Sequence, residues 1–377
     1  MQDWTLKRLS EFVGRGDRKK LGPHTENRLV AQSMGSHSSY RVARKATCLG
    51  KGLVVTEAGV IPDYPGIRRV YHLTNAITKY YYSPFYLETQ VPGYHTRVAW
   101  LGGREVAFTR DGRYCAFSSD RASEFIPRAF FKEHPDLIVC LAIAGDGTPY
   151  ATPSCNGNKA EIDAWGTEVL QYGVREPLAT RERYELFNEF EIKNVPHIGP
   201  LDSGDISTII DWMRSLDESG AKGVILKPSE PHHRPLKYGL PSAQFNELLT
   251  LLELGRDGDD LCRARLFQAC CGANELELGV GPWDWEAVGR SLLAGLAGGV
   301  DQVAKGNTLA TEHSVWLSNK ASAECLLAQL DERTTGTSIE PVSLVSEGQG
   351  WRLRFRRQFI ETTAALQRRM SGVSYRD

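Results

Sequence analysis

The sequence lacks long apolar runs and C-x-x-C pairs of cysteines. None of its 377 residues belongs to an apolar stretch long enough to span a bilayer, and the first residues have no apolar core of the signal-peptide type. We therefore predict a cytoplasmic protein with no membrane partner. The eight cysteines include no C-x-x-C pair, which excludes the usual structural zinc and redox motifs.

The sequence also has no excess of positive charge. Its formal net charge of -1 excludes a globally basic nucleic-acid binder, because binding to phosphates needs many Lys and Arg side chains on one surface. Any contact with nucleic acid must therefore use a local basic track. Two candidates are the pair Arg68 and Arg69 and the alternating series Arg352, Arg354 and Arg356, although both patterns are also typical of a solvated surface.

The chain is long enough for two or three domains. We predict a small, mostly β N-terminal unit at residues 1–84, a central domain at 85–254 and a mainly helical C-terminal domain at 255–377. The mixture of strand and helix patterns predicts an α+β protein.

Hairpin turns and period-2 alternation predict an antiparallel meander in the central domain, with strands at residues 97–100, 105–109 and 114–117. Further strands are predicted at residues 137–143, 165–172, 222–227 and 351–356. Helices are predicted at residues 5–13, 203–220, 245–254, 261–271, 285–305, 321–330 and 361–370. Ser203 is the predicted N-cap of the helix at 203–220.

Residues 85–100 predict a strand, a turn at Pro92 and Gly93, and a second strand, with Glu88 and Gln90 on one side of the first strand. This segment resembles motif I of the covalent nucleotidyltransferases, the superfamily of ATP-dependent DNA and RNA ligases. The motif reads Glu-x-Lys-x-Asp-Gly followed by Arg, and its Lys attacks the α-phosphate of ATP. Glu88, Gly93 and Arg97 match it, whereas Gln90 replaces the lysine and Pro92 the aspartate.

Five further segments resemble, in order, the archaeal-type homodimeric ATP-dependent RNA ligases. They lie at residues 61–69, 108–117, 145–150, 223–227 and 236–238. The resemblance implies a nucleotidyltransferase fold, with antiparallel sheets, flanking helices and ATP held between them. It also implies a homodimer formed through the C-terminal domain, ATP with Mg²⁺ as cofactors, and a nucleotide and an acceptor substrate, RNA among the candidates, as partners.

The resemblance also implies roles for individual residues. It assigns catalytic roles to Lys227, Lys237, Arg97 and Lys222, nucleotide contacts to Glu88, Gln90, Gly93, Trp165 and Arg110, and a metal contact to Glu168. Two acidic positions of the family are lost, because Ala142 replaces the motif III glutamate and Lys222 the motif IV glutamate.

These replacements leave three functions open. A glutamine amide cannot form the lysyl-AMP phosphoramidate, and the loss of two carboxylates removes oxygen ligands for Mg²⁺. The first function is that of a repurposed enzyme, which activates a substrate with a nucleotide but without a lysyl-AMP intermediate. The alternatives are a non-catalytic pseudoenzyme that binds RNA ends or nucleotides, and a ligase whose nucleophile has moved to Lys222.

Overall fold

The computed structural model describes most of the chain. The described residues are 3–13, 29–34, 37–43, 49–80, 84–91, 93–145, 147–149, 162–231, 234–253, 260–278, 286, 289, 309–332 and 337–359. The predicted helix at 361–370 and nearly all of the one at 285–305 lie outside these residues, as do Pro92 and Tyr150 from the motif segments. Among the described residues, no helix has both the length and the apolar character needed to cross a bilayer.

The N-terminal part is a helix packed on a small antiparallel sheet. Helix α1 (Asp3–Val13) precedes β1 (Leu29–Met34), β2 (His37–Val42), β3 (Val54–Val55) and β4 (Val60–Ile61), and the strand order is β1-β2-β3-β4. Leu9 and Val13 of α1 are buried with Leu53, Val55 and Val60. Apolar residues spaced along one helix face thus cover one face of the sheet.

A second antiparallel sheet forms the first half of the central region. It contains β7 (Tyr94–Leu101), β8 (Arg104–Thr109), β9 (Leu137–Ala144) and β10 (Asp163–Gln171) in the order β10-β9-β7-β8. Helices α3 (Ala116–Phe125), α4 (Arg128–Glu133) and α5 (Thr180–Glu189) accompany it. The predicted strand at 114–117 is wrong: Tyr114 makes a single bridge to Phe108, and α3 begins at Ala116, because Ala116 and Phe117 pack into the core from a helix.

A third sheet forms the second half of the central region. Its strands are β5 (Arg68–Val70), β6 (Phe85–Thr89), β11 (His197–Leu201), β12 (Gly223–Pro228) and β13 (Leu236–Gly239), in the order β11-β6-β12-β13-β5. Only the β13–β5 pair is parallel. Because β5 belongs to this sheet, residues 68–70 of the predicted N-terminal unit pair with the central domain.

Four helices flank the third sheet: α2 (Leu73–Tyr80), α6 (Ile206–Glu218), α7 (Pro241–Glu253) and α8 (Asp260–Glu275). Ile209 and Met213 of α6 are buried in the core of this sheet, as the apolar stripe predicts. The Ser203 N-cap prediction is wrong, because α6 begins at Ile206 with Asp205 at the N-cap.

The described C-terminal part contains a three-stranded antiparallel sheet and a helix. Strands β14 (Leu309–Leu317), β15 (Thr337–Glu347) and β16 (Gly350–Phe359) have the order β14-β16-β15, and α9 (Lys320–Glu332) connects the first two. The sequence analysis predicted α8, α9 and part of β16 but neither β14 nor β15, so the described part of this region is α+β rather than mainly helical. Val315, Leu326 and Phe355 join the core of the second sheet. The α+β class with antiparallel sheets and flanking helices is confirmed.

Candidate functional site

The motif I segment connects two different sheets rather than forming a hairpin. Strand β6 lies in the third sheet and β7 in the second, so the chain crosses between them around residues 90–93. Gly93 has a φ of +126°, and a Cβ on it would lie 2.3 Å from the Ile143 carbonyl oxygen. Only glycine fits such a conformation and such a close approach of two backbones. The crossing therefore requires Gly93 whether or not it also contacts a nucleotide.

One row of residues crosses the third sheet from edge to edge. In register, His197 pairs with Glu88, Glu88 with Ile225, Ile225 with Lys237, and Lys237 with Arg69. Residues paired across strands share a face, and so do residues two apart along one strand. Lys227, two residues after Ile225, therefore faces the same side as Glu88 and Lys237.

Four charged side chains and one tyrosine form a buried charge cluster on this face. We use this name for Glu88, Glu168, Arg183, Tyr184 and Lys227. The exposed fraction is 1 % for Glu88, 0 % for Arg183 and 3 % for Lys227. Lys227 Nζ lies 3.0 Å from Glu88 Oε2 and 2.8 Å from Glu168 Oε1. Arg183 donates a hydrogen bond to Glu88 Oε1 and lies 3.8 Å from Glu168 Oε2, and the Tyr184 hydroxyl donates to Glu88 Oε1 at 2.8 Å.

The buried charge cluster is formally neutral, with two carboxylates facing two cations. Burial raises the pKa of Glu88, but the charges of Arg183 and Lys227 outweigh burial and lower that pKa to about 2. Glu88 is thus a carboxylate at any physiological pH. Its two oxygens already accept from three side chains, so contact with an adenine amino group would require exchanging one of these partners.

Arg183 and Tyr184 were missed by the sequence analysis. They come from α5, whose buried residues are Thr180, Arg183, Tyr184 and Phe187. The spacing i, i+3, i+4, i+7 is that of a core-facing stripe, and an arginine within such a stripe predicts a buried partner of opposite charge. The helix can approach closely because of Gly166, where a Cβ would lie 2.3 Å from the Phe187 ring.

A bulge in β10 turns the backbone of Thr167 toward the cluster. The pairing of β10 with β9 shifts between Gly166 and Glu168. The Thr167 carbonyl accepts hydrogen bonds from both Lys227 and Arg183, and its hydroxyl lies 2.8 Å from the Tyr64 hydroxyl. The bulge therefore supplies a carbonyl acceptor for one N–H group of each buried cation that is not bonded to a carboxylate.

The described residues do not fit a Mg²⁺ ion in this arrangement. Mg²⁺ takes oxygen ligands in octahedral geometry, whereas each oxygen of Glu168 faces a positive side chain. Across the described ranges, no group of three or more His, Cys, Asp or Glu side chains is placed to hold a metal ion. Glu168, for which a metal contact was predicted, is an ion-pair partner in this structure.

Three of the four replaced motif positions are described, and they lie around the crossing between the sheets. The Gln90 backbone N–H donates to the Gly223 carbonyl at 2.7 Å, and the Gln90 side-chain Oε1 atom lies 2.9 Å from where a Cβ on Gly223 would be. Lys222, the proposed moved nucleophile, is exposed and directly precedes Gly223. Ala142 is buried and pairs with His95 on one side and Trp165 on the other.

Arg97 holds the N-terminal part against the second sheet. It is fully buried, and its guanidinium donates to the carbonyls of Gly52 at 2.6 Å, Thr109 at 3.1 Å and Pro62. Burial lowers the pKa of Arg97. These contacts give Arg97 a structural role, and the catalytic role that the resemblance implies stays a prediction.

Three arginines outside the buried charge cluster lie within electrostatic range of Lys237. We call Arg69, Arg110, Lys237 and Arg265 the basic rim. Burial and the charges of Arg69 and Arg265 lower the pKa of Lys237, with a smaller effect from Arg110. Glu247 contributes one opposing charge, because its Oε2 lies 2.8 Å from Arg265 Nε. The basic rim therefore keeps an excess of positive charge, the property that attracts phosphate groups.

Trp165 and His95 both pair with Ala142 in the second sheet, and His95 lies within electrostatic range of Arg110, Lys237 and Lys227. Trp165 is half-buried, and Lys193 Nζ lies 4.7 Å from the centroid of its ring. The His95 Nδ1 atom lies 3.1 Å from the Tyr64 hydroxyl. Burial, together with the charges of Arg110, Lys237 and Lys227, lowers the pKa of His95 to about 4. His95 is therefore neutral near pH 7.

Comparison with known proteins supports the fold but not yet an activity. No model of a protein family matches the sequence, and no curated protein matches it. A solved structure from Aquifex aeolicus, provisionally described as an ATP-dependent DNA ligase, has a TM-score of 0.81, is 22% identical, and is matched over 95% of this chain and 99% of its own. An archaeal ATP-dependent RNA ligase has a TM-score of 0.78 and 22% identity, over 95% and 96% of the two chains.

The chain has the fold of the archaeal ATP-dependent RNA ligases. The similarity extends over almost the whole of both chains, so the N-terminal and C-terminal parts belong to the shared architecture as well as the central sheets. The fold expected from the motif I resemblance is thereby confirmed. At this level of identity the comparison assigns no chemistry to individual side chains.

Proposed function

We propose that this protein is a ligase-fold pseudoenzyme that binds a nucleotide, ATP first among the candidates, or the phosphorylated end of an RNA without forming lysyl-AMP. The observation that carries the proposal is the buried charge cluster. The ammonium of Lys227 is held by two carboxylates and so lacks the free lone pair that a nucleophile needs. Gln90, at the position of the ligase nucleophile, cannot replace it.

The basic rim supports phosphate binding at this site. Lys237 and Arg69 are paired on adjacent strands, and Arg110 and Arg265 lie within electrostatic range of Lys237. Charged donors of this kind bind phosphate oxygens by short, strong hydrogen bonds. Trp165, which shares a face of the second sheet with His95, is a candidate stacking surface for the base, and a cytoplasmic homodimer is part of the proposal.

The direct test is a calorimetric titration of the full chain with ATP, with and without Mg²⁺, followed by intact-protein mass spectrometry. We expect ATP to bind with and without Mg²⁺, because the described residues do not fit the metal. We expect no gain of an adenylate mass, because Gln90 cannot form lysyl-AMP. Lys237→Met should weaken binding about tenfold or more, the usual effect of losing a charged hydrogen bond. Arg181→Met, on the exposed side of α5, is the matched control and should bind as the wild type does.

Failure of the full chain to bind either ATP or a 5′-phosphorylated RNA oligonucleotide would overturn the proposal. An adenylate mass that disappears in Lys222→Met would instead show that the nucleophile has moved. This alternative has structural support, because Lys222 is exposed and its neighbour Gly223 contacts Gln90.

A second candidate is direct activation of a substrate by the bound nucleotide, with no covalent enzyme intermediate. The observation that favours it is the excess positive charge of the basic rim, which could stabilise charge developing on transferred phosphates. Consumption of ATP upon addition of an acceptor, with no mass gain on the protein, would identify this function.

A further inference from the structure

An exposed pair of aromatic rings lies at the outer edge of the basic rim. Tyr71 directly follows β5 and is 42% exposed, and Phe267 of α8 is 58% exposed. Their ring centroids are 5.8 Å apart at an interplanar angle of 72°. Two large aromatic side chains exposed together indicate a surface that contacts something else, because single exposed apolar residues are common but paired ones are less so.

Positive charge borders this aromatic pair. Arg69 is two residues before Tyr71, and Arg265 is two residues before Phe267. Arg69 lies within electrostatic range of both Arg265 and Tyr71, with Glu247 as an opposing charge. Arg69 pairs with Lys237 on the neighbouring strand, and the same row of paired residues contains Glu88 of the buried charge cluster. Aromatic and basic groups thus follow one another along one sheet face.

We propose that Tyr71 and Phe267, together with the exposed Arg69, bind single-stranded nucleic acid and direct its phosphorylated end toward Lys237. Bases stack on exposed aromatic rings irrespective of their sequence, and an adjacent arginine binds the backbone phosphates. Arg265 is 7% exposed and paired with Glu247, so it adds charge behind the rings and makes no direct contact. The strand must be single, because bases within a duplex do not present their faces to such rings. The proposal rests on the proposed function, since it names the partner of the same site.

The alternation of aromatic and basic residues argues against an apolar partner. A protein interface built on Tyr71 and Phe267 would bury Arg69, which is exposed, and would have to supply a carboxylate for it. Phosphates of a nucleic acid supply negative charge at every nucleotide. Charge complementarity therefore favours a nucleic acid over a second copy of a chain whose net charge is -1.

The test is fluorescence anisotropy with a 5′-phosphorylated oligouridine of about ten nucleotides, a length suited to a single-strand site of this size. A 5′-phosphorylated DNA oligonucleotide of the same length is measured in parallel, and the two affinities show whether the site prefers RNA or DNA. In the double variant Tyr71→Ala and Phe267→Ala, we expect affinity to fall about 5- to 100-fold, as loss of stacking predicts. Val345→Ala, which removes exposed apolar surface on β15, is the control and should have no effect.

The salt dependence separates the two contributions. Arg69→Gln should reduce the slope of log affinity against log salt by about 0.7, the value for one phosphate contact on a single strand, while the aromatic variant should keep the wild-type slope. Wild-type affinity in the aromatic variant, or a change in sedimentation showing that the rings join two copies, would overturn the proposal. If the variants and wild type bind ATP but no oligonucleotide, this inference fails while the proposed function stands. If neither ligand binds, both fail.

Discussion

Lys227 and Lys237 lie on neighbouring strands and face the same side of the third sheet, but their surroundings differ. Lys227 is buried between Glu88 and Glu168, and each charge in that cluster has a partner. Lys237 is half-buried among Arg69, Arg110 and Arg265, with Glu247 as a single opposing carboxylate. In the cluster, charge supports the fold. In the rim, charge is left available for a ligand.

The buried charge cluster is a neutral network, because its two cations neutralise its two acids. Neutral buried networks hold an arrangement in place but cost stability if one member is removed. Substitutions in both regions and a change of pH test the contrast.

The largest expected effect is that of Arg183→Leu. Removing this guanidinium leaves the buried carboxylate of Glu88 with one fewer cation, and breaking a buried pair costs about 3–5 kcal/mol of the free energy of unfolding. Urea denaturation measures it. Arg181→Leu, two residues earlier in α5, is the control: its ion pair with Glu185 is exposed, so its loss should leave the free energy of unfolding almost unchanged. Equal effects of the two substitutions would show that the cluster is not the stabilising feature.

A change of pH should have an intermediate effect on stability, through His95. This side chain lies within electrostatic range of both Lys227 in the cluster and Lys237 in the rim. The folded pKa is about 4 against an ordinary value of 6.5, so between these pH values the unfolded chain binds more protons than the folded one. The free energy of unfolding should therefore fall as pH decreases from 6.5 to 4, by about 1–3 kcal/mol. Glu88 makes its own contribution at lower pH, from about 4.5 down to 2.

His95→Gln should flatten the curve between pH 6.5 and 4 and leave the part below it, as denaturation at several pH values can show. Lys237→Met should raise the pKa of His95 by removing one of the charges that lower it. An unchanged slope in His95→Gln would assign the titration to another group.

The smallest expected effect is that of Lys237→Met on stability. Because Lys237 is surrounded by like charges, removing its charge should be neutral or stabilise the fold by about 0.5 kcal/mol at low salt, while ligand binding weakens. The same substitution at Lys227 should destabilise by several kcal/mol, since both carboxylates lose their shared partner. Thermal unfolding of the two variants at low and high salt compares them directly. Destabilisation of similar size in both would remove the distinction between cluster and rim.

Much of the fold could be predicted from local patterns. Strand β9 is a continuous apolar run and α6 has a clear apolar stripe, and both formed where expected. The strand at 114–117 failed because alternation over four residues does not separate a strand from the first turn of a buried helix. β14 was missed because its pairing with β16 joins residues far apart in sequence. β15 forms a hairpin with β16, but Pro341 within it, where the register shifts, is untypical of a strand.

The sequence by itself determined the α+β class, and through the resemblance it predicted that Gln90 stands at the position of a ligase lysine and that Glu88, Lys227 and Lys237 belong to one set of motifs. Only the tertiary structure decided which charges meet. Arg183 is 95 residues from Glu88 and carries no motif, yet it donates to that carboxylate from a helix that packs on the bulged strand. Partner choice depends on burial and on the distance between atoms, and neither is encoded in the spacing of residues along the chain.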